Sequence, residues 1–468
     1  MTEGAKYLGV QGQKPLFRFI ALFQLETAMD VNRRGRLARM TPTRLLTVFA
    51  AVLAVAGCSA GPSAPPAQSL RGQKLEVAAV WSGVEQRHFE RVLSAFTRQT
   101  GASVTYTSAG YSVPVFLAAR LARGRPPDVA FLPQPGLLRQ YAAEHLIVPL
   151  DGVTVSAVAS NYSPAWRQLG SAGGRLYGVW FKAAEKSLIW YNEDVFEREG
   201  VAPPTDVDGL VRLAHRLARS GVPAFSVGGQ DGWTLADWFS NLYLRLAGPV
   251  RYDRLAAHEI RWTDPSVLAT LRLLARVLDP RVIAGGPRAA VLTRYQESVR
   301  QAFAAPPAAA MVFEGDFVAG IIRAMTPAVP GVNADVFPFP ALGPPSPAVV
   351  AGGDAAVLMR HSPAGDALIR YLASPQAAAI WAAAGGFVSP NVNVGLAVYP
   401  DAISRFIAAS LLQAGDNFRF SLSDLTPAGF GGTEGQGMRK SLQQFLVSRD
   451  VSATARRLEQ AAGKAYPP

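Results

Sequence analysis

The sequence predicts an α/β fold with two lobes. Short apolar segments rich in β-branched residues alternate with amphipathic segments of helical spacing from residue 74 onward. About 400 residues follow an N-terminal leader, which is enough for two domains or one large two-lobed domain. Strand-like segments recur late, at 335–339 and 349–358. A chain that leaves one lobe and later returns to it predicts two lobes joined by a multi-strand hinge.

The first part of the folded chain has the order β-α-β-α-β-α. The predicted strands and helices are, in turn, 74–80, 85–99, 102–107, 113–123, 128–132 and 136–146. This order requires crossover connections and predicts a parallel sheet that is covered on both faces. Ligands bind such sheets at the carboxyl ends of the strands.

The later part repeats strands and helices with different connections. Thr205 and Asp206 follow a Pro-Pro turn and are candidate caps of a helix over 207–219. The other predicted strands are 175–180, 187–190, 224–227 and 309–313, and the other helices are 235–246, 265–278 and 295–304. No internal repeat is evident.

The N-terminus carries the pattern of an export signal. Arginines precede the apolar run Leu45–Gly57, which is shorter than the roughly 18 residues of a membrane span and is followed at once by Cys58. Residues 55–58, Val-Ala-Gly-Cys, resemble the lipobox of bacterial lipoproteins, which implies lipidation of Cys58 and a membrane anchor outside the cytoplasm. The alternative is a transmembrane anchor with a free thiol at Cys58.

These features divide the N-terminus into two segments. Residues 1–57 form the signal peptide, and residues 58–73 form a Ser/Pro/Ala-rich tether. Residues 1–39 exceed an ordinary leader, and a start at Met29 or Met40 would give one of usual length.

Composition narrows the class of partner. The net charge of +12 falls to +7 once residues 1–57 are removed, with 38 basic against 31 acidic residues, so no nucleic-acid-binding surface is required. A single cysteine excludes an intramolecular disulfide.

The motifs of common enzyme classes are absent from the sequence. Its five histidines show no HxH or HExxH spacing, and there is no GxSxG elbow or Walker loop. The glycine cluster 429–437 lacks a preceding apolar strand, which predicts a flexible segment rather than a dinucleotide loop. Recognition without metal or cofactor is the simpler interpretation, although a glycosidase pair of carboxylates stays open.

Several segments, in order, resemble the sugar-binding solute-binding proteins of ABC transporters. The segment 174–192 resembles their crossover between lobes, and 231–239 and 419–427 look most like the α-glucoside-binding members. Further matches are 193–200, 310–317, 351–355 and 374–377. The resemblance implies a periplasmic-binding-protein-like fold, with two α/β lobes and the ligand cleft between them. It also implies a sugar ligand, a membrane permease as partner and a monomer.

The resemblance also suggests lobe boundaries. Residues 74–180 and 333–373 would form the first lobe, and residues 181–332 and 374–468 the second.

Three candidate ligand-binding residues follow strands of the first sheet. Trp81 and Glu85 come after the first strand, and Gln134 comes after the third, at the ends where ligands bind. Trp81 as a cover for the core, and Glu85 as a favourable charge at a helix N-terminus, are open alternatives.

Candidates of the second lobe lie near the crossover. Glu185 matches a ligand-binding glutamate of maltose-type members, with an ion pair to Lys182 or Lys186 as the alternative. Trp233 and Asp237 would face the ligand, whereas for Trp238 a ligand contact and a core position are both open.

The remaining candidates are polar groups beside glycines or in the C-terminal motif. Glu314 ends an apolar strand before a glycine, which permits close backbone approach. The others are Gly353, Asp354, Arg419 and Asp424. Ser421 departs from the family pattern, because related α-glucoside proteins have an acidic residue there.

The leading hypothesis is a lipid-anchored subunit that captures a di- or oligosaccharide and delivers it to an ABC permease. An exported carbohydrate-active hydrolase with two cleft carboxylates is the first alternative. The same fold binding a glycerophosphodiester or a phosphorylated polyol through its arginines is the second.

Overall fold

The computed structural model describes residues 69–110, 112–343 and 348–466. Cys58 and the predicted signal peptide lie outside the described residues. The strands are β1 Lys74–Ala79, β2 Ser103–Ser108, β3 Val129–Leu132, β4 Ser171–Ala172, β5 Arg175–Leu176, β6 Gly178–Glu185, β7 Leu188–Asn192, β8 Phe225–Ser226, β9 Met311–Phe313, β10 Ala334–Pro338, β11 Val350–Leu358 and β12 Arg419–Phe420.

Helices connect and cover these strands. They are α1 Gly83–Thr100, α2 Val113–Ala122, α3 Pro135–Ala143, α4 Gly152–Asn161, α5 Pro164–Leu169, α6 Glu193–Arg198, α7 Val207–Arg219, α8 Trp233–Ala256, α9 Pro265–Val277, α10 Gly286–Ala290, α11 Tyr295–Phe303, α12 Val318–Met325, α13 Pro363–Leu372, α14 Pro375–Ala382, α15 Ala402–Ala414, α16 Leu422–Leu425, α17 Gly437–Ser448 and α18 Val451–Ala465. No helix in the described ranges is long and apolar enough to cross a membrane.

The first sheet has six strands. Strands β2, β1 and β3 run parallel, as the βαβαβ pattern predicts. Strand β11 then pairs antiparallel with β3 and with β6, and parallel with β12. The parallel pairing predicted for these three strands is confirmed, and late segments of the chain extend the sheet in the opposite direction.

The second sheet has the order β10-β7-β9-β8. Strand β7 is antiparallel to both β10 and β9, and β8 is parallel to β9. Its strands are short and buried, and helix α8 packs on them through Trp238, whose ring lies 4.3 Å from that of Phe313. Trp238 is thus a core residue.

The chain passes between the sheets at Lys186 and Ser187, which join β6 to β7. The Lys186 N–H donates to the Val350 carbonyl at 2.8 Å, and the Val350 N–H donates to the Ser187 hydroxyl at 2.8 Å. The Phe339 N–H donates to the Ser187 carbonyl at 2.7 Å. The connection between β6 and β7 is therefore hydrogen-bonded both to the residue that follows β10 and to the start of β11.

The predicted lobe boundaries stay a prediction, and two segments show pairings that cut across them. Residues 334–338, assigned to the first lobe, pair with β7 of the second sheet. Helix α14, assigned to the second lobe, packs against α1 beside the first sheet.

Side-chain caps begin several helices, and one of these caps lies where the sequence predicts it. The Asp206 carboxylate accepts from the Gly209 N–H at 2.6 Å and caps α7. Asp206 is one of the two residues that the sequence predicts as candidate caps of this helix. Ser374 caps α14 by accepting from the Ala377 N–H at 3.3 Å. Such caps satisfy backbone donors that a helix cannot satisfy itself.

Candidate functional site

Residues of the first sheet and of the segments beside the second sheet line an open cleft, which encloses about 890 Å³ of empty space when its mouth is included. Its lining combines aromatic rings, three cations and three carboxylates. The lining residues are Val80, Trp81, Glu85, Pro114, Pro133, Gln134, Lys182, Ala184, Lys186, Trp233, Tyr295, Phe317, Gly353, Asp354, Asp424 and Arg439. Seven of the predicted candidates are among them: Trp81, Glu85, Gln134, Trp233, Gly353, Asp354 and Asp424.

Trp81 lies at the carboxyl end of β1, both in the core and at the cleft. Its ring is 4.7 Å from Phe89 and 4.8 Å from Phe131 and from Trp381, and only 2 % of the residue is exposed. Both interpretations of Trp81 are therefore compatible with its position, because one part of the ring covers the core while another part faces the cleft.

Glu85 in the first turn of α1 forms an ion pair with Lys182 of β6. Glu85 Oε1 lies 2.5 Å from Lys182 Nζ, and the lysine side chain is 5 % exposed. Lys182 Nζ also lies 5.2 Å from the centre of the Trp381 ring. Burial lowers the pKa of Lys182, but Glu85, Asp316 and Asp354 together raise it above its ordinary value. Lys182 is therefore held as a cation in the wall of the cleft.

Lys186 forms a second charged group at the crossover. Its Nζ lies 3.1 Å from Asp424 Oδ2 and 3.3 Å from Asp237 Oδ2, and 5.5 Å from the centre of the Trp233 ring. Gly352 makes room for it, since a Cβ there would stand 2.6 Å from Lys186 Cε. Burial lowers the pKa of Lys186, and the two carboxylates raise it further than burial lowers it.

Asp237 lies behind Lys186 and is fully buried. Burial raises its pKa to about 6, while Lys186 opposes this rise and the Asp424 carboxylate adds to it. Trp233 lines the cleft, whereas Asp237 does not and lies 3.3 Å from Lys186 Nζ, so ligand binding by either residue stays a prediction.

Asp354 projects from β11 at an irregularity in the sheet. The register between β11 and β6 shifts between Asp354 and Ala355, and such a bulge re-aims a side chain. Burial raises the pKa of Asp354 to about 7, with Lys182 as the main opposing charge. This carboxyl group can therefore change protonation near neutral pH while facing the cleft.

Three aromatic side chains of the cleft lining pack against one another. The ring centroids of Trp233 and Tyr295 are 5.2 Å apart, and that of Phe317 lies 5.9 Å from Trp233 and 5.8 Å from Tyr295. Edge-on pairs of this kind fix the rings and leave faces for a ligand.

Gln134 follows β3 and contacts the glycine segment of the C-terminal region. Its Nε2 donates to the Gly432 carbonyl at 3.3 Å, and a Cβ at Gly432 would stand 2.6 Å from Gln134 Oε1. Residues Ala428–Gly432 form a helical turn with Phe430 buried in the core. The prediction of a flexible segment was wrong for this turn, because its glycines allow close packing.

Two predicted carboxylates lie away from the cleft wall. Glu185 Oε1 accepts from the Ser187 N–H at 2.9 Å, and neither Lys182 nor Lys186 pairs with it, so the ion-pair alternative was wrong. Glu314 is 2 % exposed, and burial together with the Asp237 charge raises its pKa well above the ordinary value. Both groups belong to the packing around the crossover.

Arg419 is also held away from the cleft. Its Nε lies 2.6 Å from Asp253 Oδ1, and Nη1 donates to the Phe418 carbonyl at 2.9 Å. The predicted placement of Arg419 is corrected, because this ion pair and its own neighbouring carbonyl use the guanidinium. Ser421 is fully buried and bonded to Ser240 and Ser423 through hydroxyls.

The free energy of unfolding is expected to fall as pH rises from about 5 to 8, and Glu185→Gln is expected to reduce that slope. Burial raises the pKa of Glu185 to about 8, so its stabilising effect is complete below its ordinary pKa of 4.5 and is lost as pH rises through 8. One such group contributes about 1.4 kcal/mol per pH unit between the two pKa values. Urea unfolding at several pH values measures the slope.

Asp279→Asn is the control for this experiment. The Arg281 side chain holds the pKa of Asp279 at about 2, so its contribution is constant above the ordinary pKa of 3.8. Equal slopes in wild type and Glu185→Gln would contradict the prediction.

The sequence did not identify five side chains of the cleft as ligand contacts: Lys182, Lys186, Tyr295, Phe317 and Arg439. Spacing offered a signal for the two lysines, because positions 182 and 186 lie on one face of an extended strand. No such pattern marks the other three. No group of three or more His, Cys, Asp or Glu side chains suited to a metal ion occurs within the described part of the chain.

The comparisons with known proteins agree with this architecture. Residues 82–379 match the family model described as bacterial extracellular solute-binding protein. The osmoprotective compounds-binding protein GgtB of Synechocystis sp. is 31 % identical over 377 residues, which cover 78 % of this chain and 88 % of that protein. The α-glucosides-binding periplasmic protein AglE of Rhizobium meliloti is 31 % identical, with coverages of 77 % and 81 %.

Solved structures share the fold at lower sequence identity. The bacterial solute receptor AcbH, described as preferring β-D-galactopyranose, has a TM-score of 0.73 at 20 % identity, with 84 % of this chain and 100 % of that chain covered. The GacH receptor of Streptomyces glaucescens, solved with acarbose, has a TM-score of 0.66 at 16 % identity, with coverages of 84 % and 98 %.

The sequence matches and the fold are those of solute-binding proteins and not of enzymes, which confirms the prediction of a binding role and a periplasmic-binding-protein-like fold. The chain belongs to the family of bacterial extracellular solute-binding proteins.

Proposed function

We propose that this protein is the lipid-anchored subunit of an ABC importer that captures an α-glucoside-like di- or oligosaccharide and delivers it to the membrane permease. The observation that carries the proposal is the composition of the cleft, which combines aromatic rings with ion-paired carboxylates. The similarity to an α-glucosides-binding protein over 77 % of the chain favours this sugar class.

The chemistry of the cleft suits a sugar. The weakly apolar faces of a sugar ring stack on aromatic side chains, here Trp233, Tyr295 and Phe317. Its hydroxyl groups need acceptors and donors, which Asp354, Asp424 and the two lysines supply. Because each lysine is already paired with a carboxylate, such groups can serve hydroxyls without presenting a large net charge.

A thermal-shift screen tests the sugar ligand. The purified protein is heated alone and with maltose, trehalose, sucrose, glucosylglycerol, galactose or xylobiose. A ligand at 100 times its dissociation constant stabilises the folded state by about 2.7 kcal/mol. We expect an increase in the unfolding temperature with at least one α-glucoside and none with xylobiose. No shift with any α-glucoside, or product formation from one, would refute the proposal.

Replacing Cys58 tests the anchor. Cys58→Ala removes the thiol that would carry the lipid, so the protein is expected to move from the membrane fraction to the soluble fraction of cells expressing it. Ser59→Ala leaves the thiol in place and is the control. A membrane-bound Cys58→Ala protein would contradict lipid anchoring.

A further inference from the structure

Arg439 is a cation of the cleft that no carboxylate pairs. It lies in the first turn of α17, lines the cleft and is 7 % exposed. Lys182 and Lys186 each contact a carboxylate, whereas no Asp or Glu oxygen in the described ranges lies within 4.0 Å of the Arg439 guanidinium. An unpaired, nearly buried guanidinium is costly unless its donors find acceptors.

Within the described chain, a backbone carbonyl accepts from one nitrogen of this guanidinium, and the other two nitrogens have no acceptor. Arg439 Nε donates to the Gly431 carbonyl at 2.9 Å, and within the described chain Nη1 and Nη2 have no acceptor. A guanidinium carries five donors, and the two terminal groups point in parallel as a fork. The fork is therefore available to two oxygen atoms of a molecule in the cleft.

Glycines fix the position of Arg439. Gly232 has a φ of 74°, and a Cβ there would stand 2.7 Å from the Arg439 Cβ. Gly437 has a φ of 46°, and a Cβ there would collide with the Phe430 carbonyl. Only glycine satisfies both the positive φ and the close contact at these two positions. The start of α17 is thus closely packed on both sides of the arginine.

The charges around Arg439 favour two neutral hydroxyl oxygens over the oxygens of an anionic ligand at its guanidinium. Asp424, Asp237, Glu434 and Asp231 act on the Arg439 guanidinium electrostatically. An anionic ligand would be attracted by Arg439 but repelled by these carboxylates, and both cleft lysines are already paired. Two adjacent hydroxyls of a neutral ring accept from the fork without that repulsion.

We propose that Arg439 binds two neighbouring hydroxyl oxygens of a neutral sugar and thereby selects uncharged glycosides over acidic ones. This proposal rests on the proposed function. The residue is a ligand contact that determines specificity. Its role depends on the fork geometry as well as on the charge, so lysine does not replace it.

Calorimetric titration of the purified protein with maltose and trehalose, and with trehalose 6-phosphate and maltobionate, tests the inference. Arg439→Lys keeps the charge and loses the fork, and it is expected to weaken binding of the neutral ligand at least tenfold. Lys440→Gln, an exposed neighbour on α17, is expected to leave it unchanged. Wild type is expected to bind the anionic sugars more weakly than the neutral ones.

The outcomes separate the two proposals. If wild type binds no α-glucoside, neither in this titration nor in the thermal-shift screen, the proposed function fails. If wild type binds a neutral sugar and Arg439→Lys binds it within twofold, or if an anionic sugar binds more tightly than its neutral counterpart, this inference alone is overturned. Wild type should also bind monodeoxy analogues of the ligand at least tenfold more weakly when one hydroxyl of the contacted pair is missing, which needs no variant to fold.

Discussion

Lys186→Met is expected to lower the free energy of unfolding by about 3–5 kcal/mol, the usual cost of removing one partner from a buried ion pair. The carboxylates of Asp237 and Asp424 would remain in the same buried site without the cation that lies 3.3 Å from one and 3.1 Å from the other. Methionine preserves most of the side-chain volume, so the loss reports charge rather than packing. Urea unfolding at pH 7 measures it.

A control variant and a double variant test whether the loss of stability comes from the missing charge of Lys186. Lys464→Met removes an exposed lysine and is expected to change stability by less than about 0.5 kcal/mol. Adding Asp424→Asn to Lys186→Met removes one of the two carboxylates left without a cation. The double variant is expected to recover part of the lost free energy of unfolding. A Lys186→Met protein as stable as wild type would show that the carboxylates do not need this cation.

Asp354→Asn is expected to weaken binding of the neutral sugar about 10- to 100-fold, which corresponds to losing a hydrogen bond to a charged group, about 1.5–3 kcal/mol. The pKa of Asp354 is raised to about 7 by burial, so both protonation states are accessible near neutrality. Hydroxyl donors favour the ionised carboxylate and lower its pKa in the complex. Wild-type affinity should therefore rise as pH increases through 7.

Calorimetry at pH 6 and pH 8 checks this expectation. The affinity of Asp354→Asn should be nearly independent of pH over this interval, because the amide does not titrate. Asp208→Asn, at an exposed ion pair with Arg276 on the surface, should behave like wild type. Equal wild-type affinity at pH 6 and pH 8 would argue against a hydroxyl contact at Asp354.

The sequence predicted many of the strands and helices before β11, because their periodicity and caps are local, but it predicted none of the helices after β11. Asp206 caps a helix where the pattern indicates, and β1, β2 and β3 pair as a βαβαβ order requires. The antiparallel return of β11 could not be predicted in the same way, since its pairing partners lie about 170 to 230 positions earlier in the chain. Direction of pairing depends on tertiary contacts.

The cleft was predicted in part for a similar reason. Residues that directly follow a strand of the first sheet, such as Trp81 and Gln134, lie at the predicted edge. Glu185 and Glu314 have the right side chains at strand ends, but their oxygens turn into the packing of the crossover. Arg439 was missed because a glycine turn distant from the strands presents it, and nothing in its local pattern distinguishes it from a surface arginine.

The two lysines of the cleft lie on one continuous extended segment, with Lys182 in β6 and Lys186 just past its end. Four residues of extended chain span about 13 Å. Each lysine holds its own carboxylates, so the distance between the two charged groups is fixed by the backbone itself. Under the proposed function, a sugar that contacts both charged groups has to span the separation that this strand sets between them.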